Sequence, residues 1–185
     1  KKKRVVALTS LTADLIYSIS KDSLVGIPGS SILRENKEFE SIPIVSSGRM
    51  PPDLEKIISL EPDLVIGAEG FHDRPLSKLN SLGINTLSTS ISNLDDLDNL
   101  NRQLSSKLNT DTKPLEQILE SCYSTNKNKN KNIVVLVSSK PILSPNKDSW
   151  AGNLISFFKL NNLASEITNR TAFKGYVNLS PEWLL

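Results

Sequence analysis

The amino-acid sequence predicts an α/β protein built from two lobes of like topology, and three observations carry that prediction. Short apolar runs alternate with segments whose apolar residues recur at helical spacing, the signature of a largely parallel sheet covered by helices. The runs are apolar at successive positions rather than at every second one, as in Leu64-Val65-Ile66, which is expected of strands buried on both faces. The elements of the first half then return in the second half in the same order.

Arg4–Thr9 (RVVALT) opens the fold as a buried strand. Ser10 and Thr12 offer capping hydroxyls, and Leu15, Ile16 and Ile19 give Ala13–Ile19 a helical apolar face. Leu24–Ile27 is a second strand, ended by Pro28-Gly29, and Ser30–Phe39 is a polar excursion expected to cross the surface. Residues 42–68 form the centre of the pattern. Ser46–Met50 is a small polar loop with Arg49 in it, and Pro51-Pro52 halts preceding structure, with Pro52 suited to the first turn of a helix. Leu54, Ile57 and Ile58 share one helical face, and Glu61-Pro62-Asp63 ends the helix before the strand at Leu64–Ile66. Pro75–Leu82 is a helix closed by Gly83, and Ile84–Leu87 is the next strand.

In Asn93–Leu108, leucines at 94, 97, 100, 104 and 108 mark an amphipathic helix of the kind that packs on a core. Pro114–Tyr123 continues as helix, and the Asn/Lys alternation at 126–132 reads as a solvated linker. Ile133–Val137 (IVVLV) is another buried strand. From there Asn132–Leu136 answers Arg4–Leu8, Ala151–Leu160 answers Ala13–Ile19, and Asn162–Ala164 answers Leu24–Ile27. Ser180-Pro181-Glu182 answers Asp53-Leu54-Glu55. The second copy stops at Leu185, inside its helix, so this lobe is expected to be incomplete.

Composition narrows the function. At 185 residues, 38% hydrophobic and 23% charged, the chain has material for a core. A formal net charge of +2 is too small to argue for nucleic acid or an acidic membrane surface. Cys122 stands alone, so no intrachain disulfide forms. No leader is visible at Lys1 and no apolar run reaches membrane-spanning length, which leaves either a cytoplasmic protein or one whose export signal precedes this numbering. There is no G-x-S-x-G elbow, no G-x-x-x-x-G-K phosphate loop and no dinucleotide fingerprint.

These residues together resemble the substrate-binding proteins of ABC importers for iron–siderophores, haem and vitamin B12, the helical-backbone (class III) type. The resemblance is carried by RVVALTSLTADLIYSI, LVGI, SGRMPPDLEKIISLEPDLVIGA and LNSLGINTL, then by SWAGNLISFFKLNNLASEI and YVNLSPEWLL. It spans nearly the whole chain, and DLEKIISLEPDLVI is its most specific block. It implies two Rossmann-like lobes joined by a helical backbone, with ligand in a shallow cleft between them. The corresponding boundaries are 1–92, 93–131 and 132–185, the last lobe truncated at its C-terminus. It implies that Glu55 and Glu182 cap the two lobes and meet arginines of the permease. Arg49 falls where siderophore binders face the chelate, and Phe71 and Tyr176 match cleft positions that are often aromatic. The chain departs from the family in a connector interrupted at Thr110–Pro114, in ending early, and in lacking an aromatic in Ser46–Met50.

Each of these residues also has a simpler reading. Arg49 can donate paired hydrogen bonds to carboxylate, catecholate or hydroxamate oxygens, or it can pair with Glu69 on the surface. Glu55 and Glu182 suit the first turn of a helix whatever they meet. His72, the sole histidine, is expected to be a solvent-exposed loop residue; a pair with Asp73, or ligation of haem iron by His72 or Tyr176, is the sharper alternative. Trp150 and Trp183 are expected to pack in helical segments. The function expected is that of a monomeric extracytoplasmic binding protein, periplasmic or lipid-anchored. It has no resident cofactor, no metal site and no catalytic residue, and it passes a chelate to an ABC permease. Ferric siderophore or a similar iron complex ranks first, corrinoid second and haem third. A protein-interaction module using Asn93–Leu108, and a hydrolase using His72, are the rivals of other classes.

Overall fold

The computed structural model describes residues 2–47, 51–111, 117, 130–168 and 174–184. The chain divides into two compact units, residues 1–90 with 99–112, and residues 91–98 with 113–185.

The first unit is built on a five-stranded parallel sheet in the order β3-β2-β1-β4-β5. Its strands are β1 (Val5–Ala7), β2 (Leu24–Pro28), β3 (Ile44–Ser46), β4 (Leu64–Ala68) and β5 (Thr86–Thr89). All of β1 is fully buried, and in β4 only Ala68 is more than slightly exposed, as uninterrupted apolar runs require. The helices are α1 (Ser10–Ser20), α2 (Ser31–Arg34), α3 (Leu54–Ser59) and α4 (Asp73–Ser81). Val6, Leu8, Val45, Ile57, Val65, Leu76 and Leu79 form the core between sheet and helices.

Local chemistry explains the helix ends. The Thr9 hydroxyl accepts the Thr12 N–H at 3.2 Å and caps α1. The Asp53 carboxylate accepts the Lys56 N–H at 3.0 Å and caps α3. Pro52 therefore precedes the cap instead of occupying the first turn, because a side chain that satisfies a helical N–H outcompetes a residue that merely lacks one. Leu60 and Glu61, at φ 46°, end α3 ahead of Pro62. Gly83, at φ 84°, follows the last turn of α4, where a left-handed residue lets the Gly83 and Ile84 N–H groups close back onto Asn80 and Leu79.

Several expectations shift. On α3, Ile57 is fully buried and Leu54 partly so, but Ile58 is 42% exposed, since it stands about 100° round the helix from Ile57 and the face toward the core is filled by Leu54, Ile57 and Leu60. β5 begins at Thr86, two residues after Ile84: the Ile84 N–H closes the turn out of α4, and the Asn85 carbonyl that follows accepts the Val65 N–H of β4 at 2.9 Å. The excursion after Gly29 is ordered: α2 and a 3-10 turn at Lys37–Phe39 bury Leu33 and Phe39, and the Phe39 ring meets Tyr17 of α1 at 4.8 Å.

The helix α5 (Leu94–Leu108) buries Leu97, Leu100 and Leu104, one stripe of the predicted face. Its first residue is held in the second unit, where Leu94 N–H donates to the Asn153 side-chain oxygen at 3.0 Å. Apart from Gln117, the expected helix at Pro114–Tyr123 lies outside the described residues.

Among the described residues, the second unit combines two small sheets. β6 (Asn132–Ile133) pairs in parallel with β9 (Asn161–Asn162), and α6 (Trp150–Phe157) lies between them in sequence. This β6-α6-β9 order parallels β1-α1-β2. An antiparallel sheet β10-β8-β7 interrupts it, made of β7 (Ser138–Ser139), β8 (Ile142–Pro145) and β10 (Tyr176–Asn178). The run Ile133–Val137 is thus strand only at its start, and Leu136 and Val137 are each 50% exposed. Among the described residues its one partner strand is two residues long, and apolar sequence alone cannot supply hydrogen-bond partners. Likewise β9 stops at Asn162. Its buried side chain donates to the Pro145 carbonyl and accepts from Ala164 N–H, which turns the chain there. Trp150 is half-buried in α6, whereas Trp183 is 40% exposed in the final 3-10 turn, Pro181–Leu184.

Candidate functional site

A crevice of about 1310 Å³ opens at the carboxyl ends of β1 to β4. It sits where the strand order reverses. β1, β2 and β3 follow one another outward on one side, and β4 lies on the other side of β1. Neighbouring loops diverge at such a point and leave room for a ligand. Each strand delivers its own wall: Leu8, Thr9 and Ser10 after β1; Gly29, Ser30 and Ser31 after β2; Ser46, Ser47, Pro51 and Pro52 around and after β3; and Gly70 to Pro75 after β4. The lining is rich in hydroxyls and small residues, with Phe71, His72, Asp73 and Arg74 as its large or ionisable members.

The segment after β4 carries most of the chemistry. Glu69 N–H donates to the Thr89 carbonyl at 2.9 Å, and Phe71 and His72 N–H groups donate to the Ala68 carbonyl at 3.3 and 2.9 Å. Gly70 N–H donates to both carboxylate oxygens of Asp73 at 3.0 and 3.1 Å. The turn thereby lifts Phe71 clear of the surface, 88% exposed beside the crevice. His72 stands in the bend immediately before α4, a loop position as expected, but half-buried rather than solvent-exposed. Its Nδ1 accepts the Ala68 N–H at 3.0 Å. Burial holds the imidazole below its usual range, against the opposing pulls of the Ala68 backbone and, more weakly, of Asp73. Among the described residues no hydrogen bond joins His72 to Asp73, whose carboxylate is turned to Gly70. Gly67 makes room for this arrangement, because a Cβ there would lie 2.7 Å from the His72 Cβ.

The other candidate residues are distributed as follows. Arg49 lies outside the described residues. Tyr176 belongs to the second unit, half-buried on β10 opposite Pro145. Glu55 is exposed in the first turn of α3, two residues after its Asp53 cap. Glu182 is exposed two residues after Ser180, whose hydroxyl accepts the Trp183 N–H at 3.3 Å. The Glu182 backbone N–H and the Ser180 hydroxyl hold its carboxyl below the usual range. The two glutamates therefore share one local setting, cap plus two, in the two units.

Sequence reading passed over Arg74, Ser30 and Ser31 as lining residues, and it misjudged His72. The available signal was position: a residue just after a central strand, at the start of the next helix, faces the strand-end crevice. Among the described residues, no group of three or more His, Cys, Asp or Glu side chains is disposed to hold a metal ion. No described helix is long and apolar enough to cross a membrane.

Residues 5–185 match the family described as Periplasmic binding protein. The chain is 23% identical over 197 residues to the uncharacterized ABC transporter substrate-binding lipoprotein YvrC of Bacillus subtilis (strain 168), a match covering 97% of this chain and 59% of that relative. The chain thus spans less than two thirds of the curated relative's length. Among solved structures it is similar to a possible iron-binding (periplasmic solute-binding) protein of Staphylococcus epidermidis, with a TM-score of 0.73, 18% identity and coverage of 100% of this chain and 73% of that one. It is also similar to the periplasmic heme binding protein HutB of Vibrio cholerae, with a TM-score of 0.65, 20% identity and coverage of 98% and 72%. For the periplasmic vitamin B12 binding protein BtuF of the same organism the values are 0.58, 20%, and 99% and 72%. At these identities the likeness is one of fold.

Proposed function

We propose that this chain, which belongs to the periplasmic binding protein family, captures a metal chelate outside the cytoplasmic membrane and hands it to an ABC permease, with no catalytic step of its own. The observation that carries this reading is the crevice at the strand ends. It is wide, open and lined by hydroxyls, and its charged members are Asp73 and Arg74. Asp73 is already engaged by Gly70 N–H, which leaves Arg74, among the described residues, as the charged group available to a ligand there. A guanidinium beside hydroxyls and an exposed ring suits a bulky, oxygen-rich anion. A ferric siderophore or similar anionic iron complex is therefore the first choice, and Arg49, Phe71 and Tyr176 are the further residues assigned to ligand. Corrinoid and haem are the other ligands to be tested, each offering a flat face to Phe71.

Glu55 and Glu182 are assigned to permease docking. Exposed acids in one local setting on both units give complementary charge at two points, enough to fix orientation on a partner. Titration with a ferric siderophore, haemin and cobalamin, read by tryptophan fluorescence and by visible absorbance, tests the reading. Saturable binding of an anionic ferric chelate, weakened in Arg74→Ala, is the expected result. Binding of none of the three defeats the proposal, and tight binding of cobalamin or haemin alone replaces the ligand.

A further inference from the structure

His72 has two ring nitrogens with different surroundings, and the difference sets what the crevice can do with a ligand. Nδ1 accepts the Ala68 backbone N–H at 3.0 Å, so it is the unprotonated nitrogen of the neutral ring, and the proton sits on Nε2. The residue that carries the ring is held in place, and the Ala68 N–H orients the ring itself. Its Cβ is seated against Gly67, which has no side chain to displace it, and its own N–H is bonded to the Ala68 carbonyl at 2.9 Å. His72 lines the crevice, and with Nδ1 committed to the end of β4, Nε2–H is the polar group left for a ligand. Among the described residues nothing else takes it.

On the reading given under Proposed function, we propose that His72 recognises the outer oxygens of the bound chelate as an Nε2–H donor and does not ligate its metal. Ligation through Nε2 would need the proton on Nδ1, where it would confront the Ala68 N–H, donor against donor. The lost bond would also leave a partly buried amide without an acceptor. An acceptor oxygen on the ligand meets no such conflict, since it takes the proton the fold has already positioned. The residue therefore favours chelates that present carboxylate, catecholate or hydroxamate oxygens at their periphery.

Because His72 is the sole histidine, its ring gives one set of nitrogen resonances in a long-range ¹H–¹⁵N correlation spectrum of the intact chain. Free protein near neutral pH is expected to show the Nε2-protonated tautomer, and the Nδ1-protonated form would overturn the proposal before any ligand is added. Binding of a ferric catecholate and a ferric hydroxamate is then compared in three proteins. His72→Ala is expected to weaken binding about tenfold, the scale of one hydrogen bond. His72→Gln, whose amide also reaches out as a donor, is expected to recover most of that loss without altering the visible bands of the chelate. Unchanged affinity in His72→Ala overturns the donor role alone. A change in the chelate's visible bands on its binding to wild type, lost in both variants, means metal ligation and overturns it equally. Failure of wild type to bind either chelate, with the Nε2 tautomer in place, instead brings down the parent reading and this role with it.

Discussion

Gly67 and His72 show how a single missing methyl shapes the site. A Cβ at position 67 would stand 2.7 Å from the His72 Cβ, closer than real contacts allow. Gly67→Ala must therefore push the start of α4 outward, and a cost of roughly 1–3 kcal/mol is expected in urea unfolding. His72 also has a pH signature with a definite sign. Its folded-state pKa is depressed, mainly by burial, so as pH falls the unfolded chain takes up the proton first. The neutral ring's contribution is whole above the ordinary histidine range and is lost as pH drops through that range toward the folded pKa. Stability curves for wild type and His72→Gln should converge as pH falls through and below the ordinary histidine range, about 6.5. A constant gap would contradict this assignment.

Among the elements, α3 and α5 were the most legible, and for different reasons. The apolar spacing of Leu54 and Ile57 announces α3, but its start is set differently from the first turn expected at Pro52: Asp53 caps the helix by holding the Lys56 N–H. Asp53→Ala should cost about 1 kcal/mol. The leucine spacing of α5 likewise predicts the buried stripe, and Leu104, fully buried, should lose roughly 2–5 kcal/mol on replacement by alanine, measured by chemical denaturation. The elements that were misread depend on information the local sequence does not hold. Ile133–Val137 has the composition of a central strand, yet whether it pairs is decided by a segment some thirty residues away. Ser138–Pro145 forms a hairpin with little apolar alternation to announce it. Leu33 and Phe39 look like isolated apolar residues in a polar stretch, yet both are buried, and the Tyr17 ring of α1 shows what Phe39 packs on.

For the whole molecule, the sequence indicated an α/β chain with a parallel sheet, and the first unit has one. What it could not indicate was the composition of the crevice. Thr9, Ser30, Ser46 and Arg74 are far apart in the chain and become neighbours only because four parallel strands end at one level. The proposed partner is testable at the same scale. Glu55→Ala and Glu182→Ala, separately and together, should impair chelate uptake in cells while leaving affinity for the ligand in solution unchanged. Normal uptake by the double variant would remove the docking role.

The turn that carries Phe71 has a thermodynamic consequence. Every backbone N–H from Ala68 to His72 already has an acceptor within the turn or on β5. A ligand settling on the ring therefore freezes two side-chain torsions and no main chain. Calorimetry of a flat-faced ligand should show a heat-capacity change set by the apolar area that ring and ligand bury against each other, without the large excess that accompanies a loop folding around its guest.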